Sequence, residues 1–509
     1  MSRLTSKQRQ ELHKAIYQYA EQIIASSESD TDLLPKLEHL LEINPSQTET
    51  IVSNYLEKKW TTVVRLQKKI LDLENEVVSY KSLLDSLSQN GSNGSAVVLP
   101  RDKLGWLPNI NSKTYKTSSN QLVTSVAVHP SLPLVVAGCS DGSLISWSIV
   151  NDSSGIPEKN VAAHTRGVTS LQWSPFPVAL ADTGPKDWLM ATSSSDLTVK
   201  IWESDTLKHV RTLTGHEHTV SSVCFSPSNP SILYTASRDH SVRVWDLKSG
   251  ICIRKFVGHS EWVRDVDAAS VEHKLALGDT RSSMGDFLLT CSNDQSIRLS
   301  HADTGIGLAL LLGHTHVIEC VKFLPHLSNK YIDGFVLQNL DKFNYLTEEI
   351  VNDPSYIQTL GYKYCVSAGR DNLIKLWLLP PPAFRPNRPP APSILNNSQG
   401  WHLADLIGHQ SWVKSLCIHP GGRFIISGAD DKTIRVWDLS TLIEKGSVLC
   451  GKILQAHESF VNSVHMASFE VEFNKNDERT EEAILKKIES NMRCIFVTGG
   501  VDKTVRLWS

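Results

Sequence analysis

The chain alternates apolar and polar positions in short runs such as Val220-Ser-Ser-Val-Cys-Phe225. A period of two predicts strands with one face buried. These runs sit in a fixed setting. A phrase recurs seven times: Asp, two residues, an apolar residue, one residue, an apolar residue, then usually Trp. Its copies run from Asp141 to Trp147, Asp196 to Trp202, Asp239 to Trp245, Asp294 to Ser300, Asp371 to Trp377, Asp431 to Trp437 and Asp502 to Trp508. The spacing never varies, and only the fourth copy loses its Trp, to Ser300. Six copies are preceded by a His, often as Gly-His: His164, His216, His259, His314, His409 and His457. The first copy has none. Self-similarity of this kind means one supersecondary unit stacked many times.

Residues 1 to 87 follow a different period. They read as helical, with breaks near Ser26 to Thr31 and at Pro45. From Val63 a heptad pattern is unbroken, with Val63, Ile70, Val77 and Leu84 at a and Leu66, Leu73, Tyr80 and Leu87 at d. Beta-branched residues at a with Leu at d favour a parallel two-stranded coil. The flanking charges agree, Lys69 facing Glu74 and Glu76 facing Lys81 across such a pair. Four heptads are short for a stable coil, so a second dimer contact is expected. Leu12, Ile16, Tyr19 and Ile23 have helical spacing and could supply it. Ser88 to Ser95, rich in Ser, Gly and Asn, reads as a flexible linker. The expected division is 1–45 and 46–87 helical, 88–103 linker, and 104–509 the repeat domain.

Composition removes several classes of function. The 509 residues carry a net charge of −3, which does not favour nucleic acid or an anionic membrane as main partner. No apolar run is long enough for a membrane span, and the N-terminus lacks the apolar core of a secretory signal. The nine cysteines are scattered with no Cys-x-x-Cys pair, as in a reduced cytosolic protein. There is no phosphate-binding Gly loop, metal-ligand cluster or nucleophile motif, so no enzyme activity and no cofactor are expected.

The repeat phrase resembles the WD-repeat family over roughly residues 104 to 509. The resemblance implies an all-β seven-bladed propeller of four-stranded blades. It also implies that each loop His, turn Asp, strand Ser or Thr and Trp form a hydrogen-bonded chain, which argues against reading His and Asp as a catalytic dyad. That chain is expected to be cut short in blade 4 by Ser300. Since the last repeat runs only to the strand that carries Trp508 and so lacks its outermost strand, the segment from Trp106 to Thr117 is expected to supply that strand of blade 7 and close the ring.

The His-to-Asp spacing varies, and the extra residues fall between first and second strands, at 177–187, 270–285, 327–360 and 468–491. A Pro-rich stretch, Leu379 to Pro392, falls between third and fourth strands. Both connections leave a blade on the same side, while the His loops and Asp turns leave on the other. One face is therefore crowded with loops and the other clear, and the clear face is the expected binding surface. The residues preceding each Asp lie there: Ser140, Ser195, Arg238, Asn293, Arg370, Asp430 and Val501. Positions three and five after each His also point there, among them Trp262 with Arg264 and Trp412 with Lys414. With Lys432 in another turn, these predict a basic patch with aromatic members, suited to an acidic protein surface.

The first helix resembles the LisH dimerisation motif. LisH motif, coiled coil, linker and propeller in that order, with Leu56-Glu-Lys-Lys-Trp60 onward to Ile70 and Gly258-His-Ser-Glu-Trp-Val-Arg264, resemble the lissencephaly-type dynein regulators, known in fungi as nuclear distribution proteins. The resemblance implies a homodimeric, non-catalytic regulator that binds the motor domain of the cytoplasmic dynein heavy chain. It implies a coiled-coil adaptor of the same pathway as partner. It further implies delivery to microtubule plus ends, the spindle pole and the cortex, for nuclear migration and spindle positioning. By motif, the motor contacts would be Arg238, Arg264, Arg370, Trp412 and Lys432, with a second contact near Glu217 and His218. LisH-propeller proteins also serve as corepressor subunits, ubiquitin-ligase adaptors or the non-catalytic subunit of an acetylhydrolase, and these stand as the alternative.

Overall fold

The computed structural model describes Ile16 and residues 107–509, without 118–120, 151–155, 181–185, 205–206, 271–284, 386–387 and 468–494. The linker, the heptads and the LisH-like segment lie outside the described residues, apart from Ile16, an exposed helical residue.

The described strands form seven four-stranded antiparallel sheets. First strands of neighbouring sheets touch in a closed circuit, including the last with the first. The result is a seven-bladed propeller with first strands lining the axis. Second strands are buried from end to end, as in Phe287–Ser292 and Tyr364–Gly369. Both their faces pack against neighbouring blades, which is why they read as apolar and small runs. Fourth strands lie at the rim, and that of blade 3, Ile251–Val257, leaves Ile251, Ile253 and Val257 exposed.

Blade 7 confirms the clasp. Its order is Lys113–Lys116, Thr504–Trp508, Phe496–Gly500, Val461–Met466. Tyr115 pairs with Val505, and the Ser112 N–H donates to the Leu507 carbonyl at 2.8 Å. Trp106, the start of the expected segment, lies outside the described residues.

The extra sequence lies between first and second strands, as expected, but one expectation needs correction. The 327–360 stretch is not a loop. It folds into helix α1 (Asn329–Gln338), helix α2 (Glu348–Val351) and a π-helical turn, Tyr356–Leu360. Ile332, Phe335, Val336, Val351 and Leu360 join the core of blade 5, so burial of apolar surface orders the stretch. Asp333 on α1 takes the Lys363 ammonium and the Tyr364 hydroxyl, both at 2.6 Å. Helix α3 (Thr441–Lys445) of blade 6 meets α1 where Gly334 faces Ile443.

Blade 4 departs from the pattern at its rim. Ser300 stands opposite Gly307 where most other blades place a Trp against a larger side chain. The edge of its outer strand, Gly307–Leu312, is covered instead. Gln399 pairs with Leu310, and the Gly400 N–H donates to the Leu310 carbonyl at 3.1 Å.

Candidate functional site

The repeated His and Asp are structural. In blade 6 His409 Nδ1 lies 2.8 Å from Asp431, His409 Nε2 lies 2.7 Å from Ser427 Oγ, and Trp437 donates its indole N–H to Ser427 Oγ at 2.9 Å. The same chain runs through Trp202, Thr192, His164 and Asp196 in blade 2, and through Trp245, Thr235, His216 and Asp239 in blade 3. Blades 5 and 7 repeat it from Trp377 and Trp508. Both ring nitrogens of each His are thereby engaged, leaving none for a substrate or metal. Burial lowers the proton affinity of His164, His216 and His409, the Asp partners opposing it. Burial works to raise the Asp196 carboxyl, but Thr198, His164 and a backbone N–H hold it at about 2. In blade 4 the chain stops at Thr290, as Ser300 predicted, with His259 and Asp294 still joined. In blade 1 Ala137 takes the place of the Ser or Thr, and the buried Trp147 Nε1 has no partner among the described residues.

A second repeated feature builds the clear face. Every first strand carries a β-bulge after its opening residue, shown by the register shifts at Val123/Ser125, Val168/Ser170, Val220/Ser222, Val263/Asp265, Ile318/Cys320, Val413/Ser415 and Val461/Ser463. A bulge leaves one residue unpaired and re-aims its side chain. The bulged residues are Thr124, Thr169, Ser221, Arg264, Glu319, Lys414 and Asn462, and all seven line the axial channel of about 820 Å³. Blades 4, 5 and 6 thus place charged groups at the channel mouth, and the other four place short polar ones.

The charged groups make one network with the turn residues. Arg238 lies over the Trp262 ring, its Cζ 4.8 Å from the centroid, and Arg264 lies 5.7 Å from the same ring. Arg264 Nε donates to Asn293 Oδ1 at 2.7 Å. Arg370 stacks on Trp412 at 4.3 Å and donates Nε–H to Glu319 Oε1 at 2.5 Å. The other Glu319 oxygen lies 3.8 Å from Arg264 Nη1. Lys414 reaches Asp430 at 2.8 Å and Asn462 at 3.3 Å. Arg238 makes no ion pair among the described residues, and its buried Nε finds no acceptor. Burial, then repulsion from Arg264 and Arg370, weakens its hold on its proton, while Glu319 opposes this. Trp412 is 39% exposed and caps the group.

Four of the expected residues, Arg238, Arg264, Arg370 and Trp412, therefore share this network. Lys432 stands apart in its turn, exposed, with a left-handed φ of 70°. Glu217 and His218 are exposed, and His218 lies 5.7 Å from the Trp262 ring, which joins it to the arginine group. Glu217 pairs with Lys255 at 3.6 Å. The expected basic patch is corrected to a mixed one, because Glu319 and Asp430 are built into it. Glu319 was overlooked although it obeys the rule that found Arg264 and Lys414, lying five residues after its His.

The WD domain, G-beta repeat family matches residues 111–148, 155–203, 207–246, 250–299, 400–438 and 449–509. The unmatched interval contains most of blade 5 with its helical insertion. The nuclear distribution protein PAC1 of Debaryomyces hansenii is 55% identical over 99% of both chains. The protein of that name from Candida albicans is 47% identical over 99% of both. The nuclear distribution protein nudF of Aspergillus niger is 31% identical, again over 99% of both.

Proposed function

The chain belongs to the nuclear distribution proteins, a family with WD-repeat propellers, and on that premise we propose that it is a non-catalytic regulator of cytoplasmic dynein. The propeller binds the motor domain through the clear face. Arg238, Arg264, Arg370 and Trp412 form the centre of that contact, Lys432 its edge, and Glu217 with His218 a second region. One observation supports this most: stacked Arg–Trp pairs gathered on the face free of insertions. Aromatic and Arg anchors of this kind dominate protein interfaces.

A propeller can alter a motor only by binding one of its conformations better than another. Two propellers joined by the arm raise the effective concentration of the second contact, which suits a motor with two heads. The homodimer rests on Leu12, Ile16 and the heptad residues Val63 to Leu87. The coiled-coil adaptor, plus-end delivery and the roles in nuclear migration and spindle positioning belong to the same proposal, with the cytoplasm and microtubule plus ends as its place of action. Among the described residues no helix is long and apolar enough to cross a membrane.

The test is a pull-down of purified dynein motor domain by the full chain, with sedimentation of the chain alone. Retention of the motor by a dimer is the expected result. A monomer, or a dimer that leaves the motor in the supernatant at micromolar concentration, would remove the proposal.

A further inference from the structure

Glu319 is the bulged residue of blade 5's first strand, Ile318–Phe323, and its side chain is 13% exposed. It is set among cations, with Arg370 on one oxygen and Arg264 on the other. Those arginines come from different blades. Arg370 follows the second strand of blade 5, Tyr364–Gly369, and Arg264 is the bulged residue of blade 4. One carboxylate thus couples two blades at the channel mouth.

The bond it makes fixes more than charge. Arg370 gives its Nε–H to Glu319 and one ring face to Trp412. An edge contact and a face contact together hold a planar guanidinium in place. Among the described residues no bond uses the Nη groups of Arg370, so their N–H donors stay available. Without Glu319, the nearest anion for Arg238, Arg264 and Arg370 would be Asp430, which is already paired with Lys414, and like charges would spread the side chains. Arg238 already senses this repulsion, which Glu319 opposes.

We propose that Glu319 is a positioning residue of the binding face: it holds Arg370 against Trp412, and Arg264 beside it, in the geometry a partner meets. This rests on the reading of that face as the motor-binding surface. The opposite role is distinguishable. A carboxylate that merely competes with the partner's acidic groups would, when removed, leave a tighter complex.

The experiment compares the wild type with Glu319→Gln and Glu319→Asp in the full chain. Gln keeps the shape and removes the charge. Chains labelled with ¹⁵N-arginine report the Nε–H signals, and the Arg370 signal is identified by its loss in Arg370→Lys. In the wild type that signal is expected to be slow to exchange with water. In Glu319→Gln it shifts and exchanges faster, while circular dichroism stays unchanged. Affinity for purified dynein motor domain falls about tenfold, as loss of a charge-assisted bond predicts, and Glu319→Asp recovers part of it. An unchanged Nε–H signal overturns the proposal, as does affinity that holds or rises in Glu319→Gln. If the wild type itself binds no motor domain, the functional reading fails on its own. The Nε–H comparison, which needs no partner, then decides whether Glu319 positions Arg370.

Discussion

Trp437 donates its indole N–H to Ser427 Oγ at 2.9 Å, the last link of a chain that ends on Asp431. Trp147 is equally buried in blade 1 but meets Ala137 where Ser427 would stand, and its N–H finds no acceptor among the described residues. Replacing each Trp by Phe removes similar volume from both blades and a hydrogen bond from only one. Trp437→Phe is expected to cost about 1 kcal/mol more than Trp147→Phe. Urea unfolding of both variants measures the difference, and equal losses would refute the assignment.

Blade 4 offers the converse change. Thr290 has His259 on one side and no indole on the other. A Cβ at Gly307, opposite Ser300, would meet nothing within 4 Å. Ser300→Trp should therefore find room at the rim and give Thr290 its missing donor. The expected gain is about 1 kcal/mol or more, seen as a higher urea midpoint. A lower midpoint would mean that Arg298, which lies over Gly258 as Arg243 and Trp245 lie over Gly215, has already filled the site.

Charge reversal tests the clear face. Arg238→Glu with Arg370→Glu replaces two stacked cations and sets a new carboxylate beside that of Glu319. Motor binding should fall below detection in a pull-down, while circular dichroism and sedimentation match the wild type. Trp412→Ala should weaken binding by about 2 kcal/mol or more, as a central aromatic anchor does. Full retention by the double reversal would sink the assignment of the face.

Acid should loosen the fold through His419. This His is 5% exposed, and its Nδ1 accepts the Gly421 N–H at 3.0 Å, so protonation at Nδ1 breaks a bond. Burial pulls its folded pKa to about 4, against an unfolded value near 6.5. The folded state then binds fewer protons than the unfolded state between those values, so stability is intact above pH 6.5 and is lost as pH falls toward 4. His419→Gln should flatten the stability–pH curve in that window. Curves of equal slope for both proteins would show that His419 contributes nothing.

Much of this was legible in the chain because spacing carried it. Seven Asp phrases of one fixed spacing, six of them ending in Trp, dictated seven blades, and ring closure called for the segment before the first blade to pair with the last. The hydrogen-bonded chains followed from the family resemblance, and their loss at Ser300 could be read off one letter. The helical stretch in blade 5 was harder. Ile332, Phe335 and Val336 have helical spacing, but their burial depends on a blade surface no local pattern displays. Glu319 was visible by position, yet its role depends on Arg264 from the next blade and Arg370 fifty-one residues later. The cover over Leu310 by Gln399 was invisible, since a single bridge between distant loops leaves no period.

Closure of blade 7 also sets an order in time. Ser112 and Leu507, joined across that sheet, are 395 residues apart. A ribosome adding about 5–20 residues per second needs roughly 20–80 s to travel between them. Throughout that interval Tyr115 has emerged and Val505 does not yet exist. Six blades can assemble from neighbouring segments as they appear, but the circle is sealed only once Thr504–Trp508 has been made. Until then the nascent protein is an open arc with one unmatched strand at its leading end.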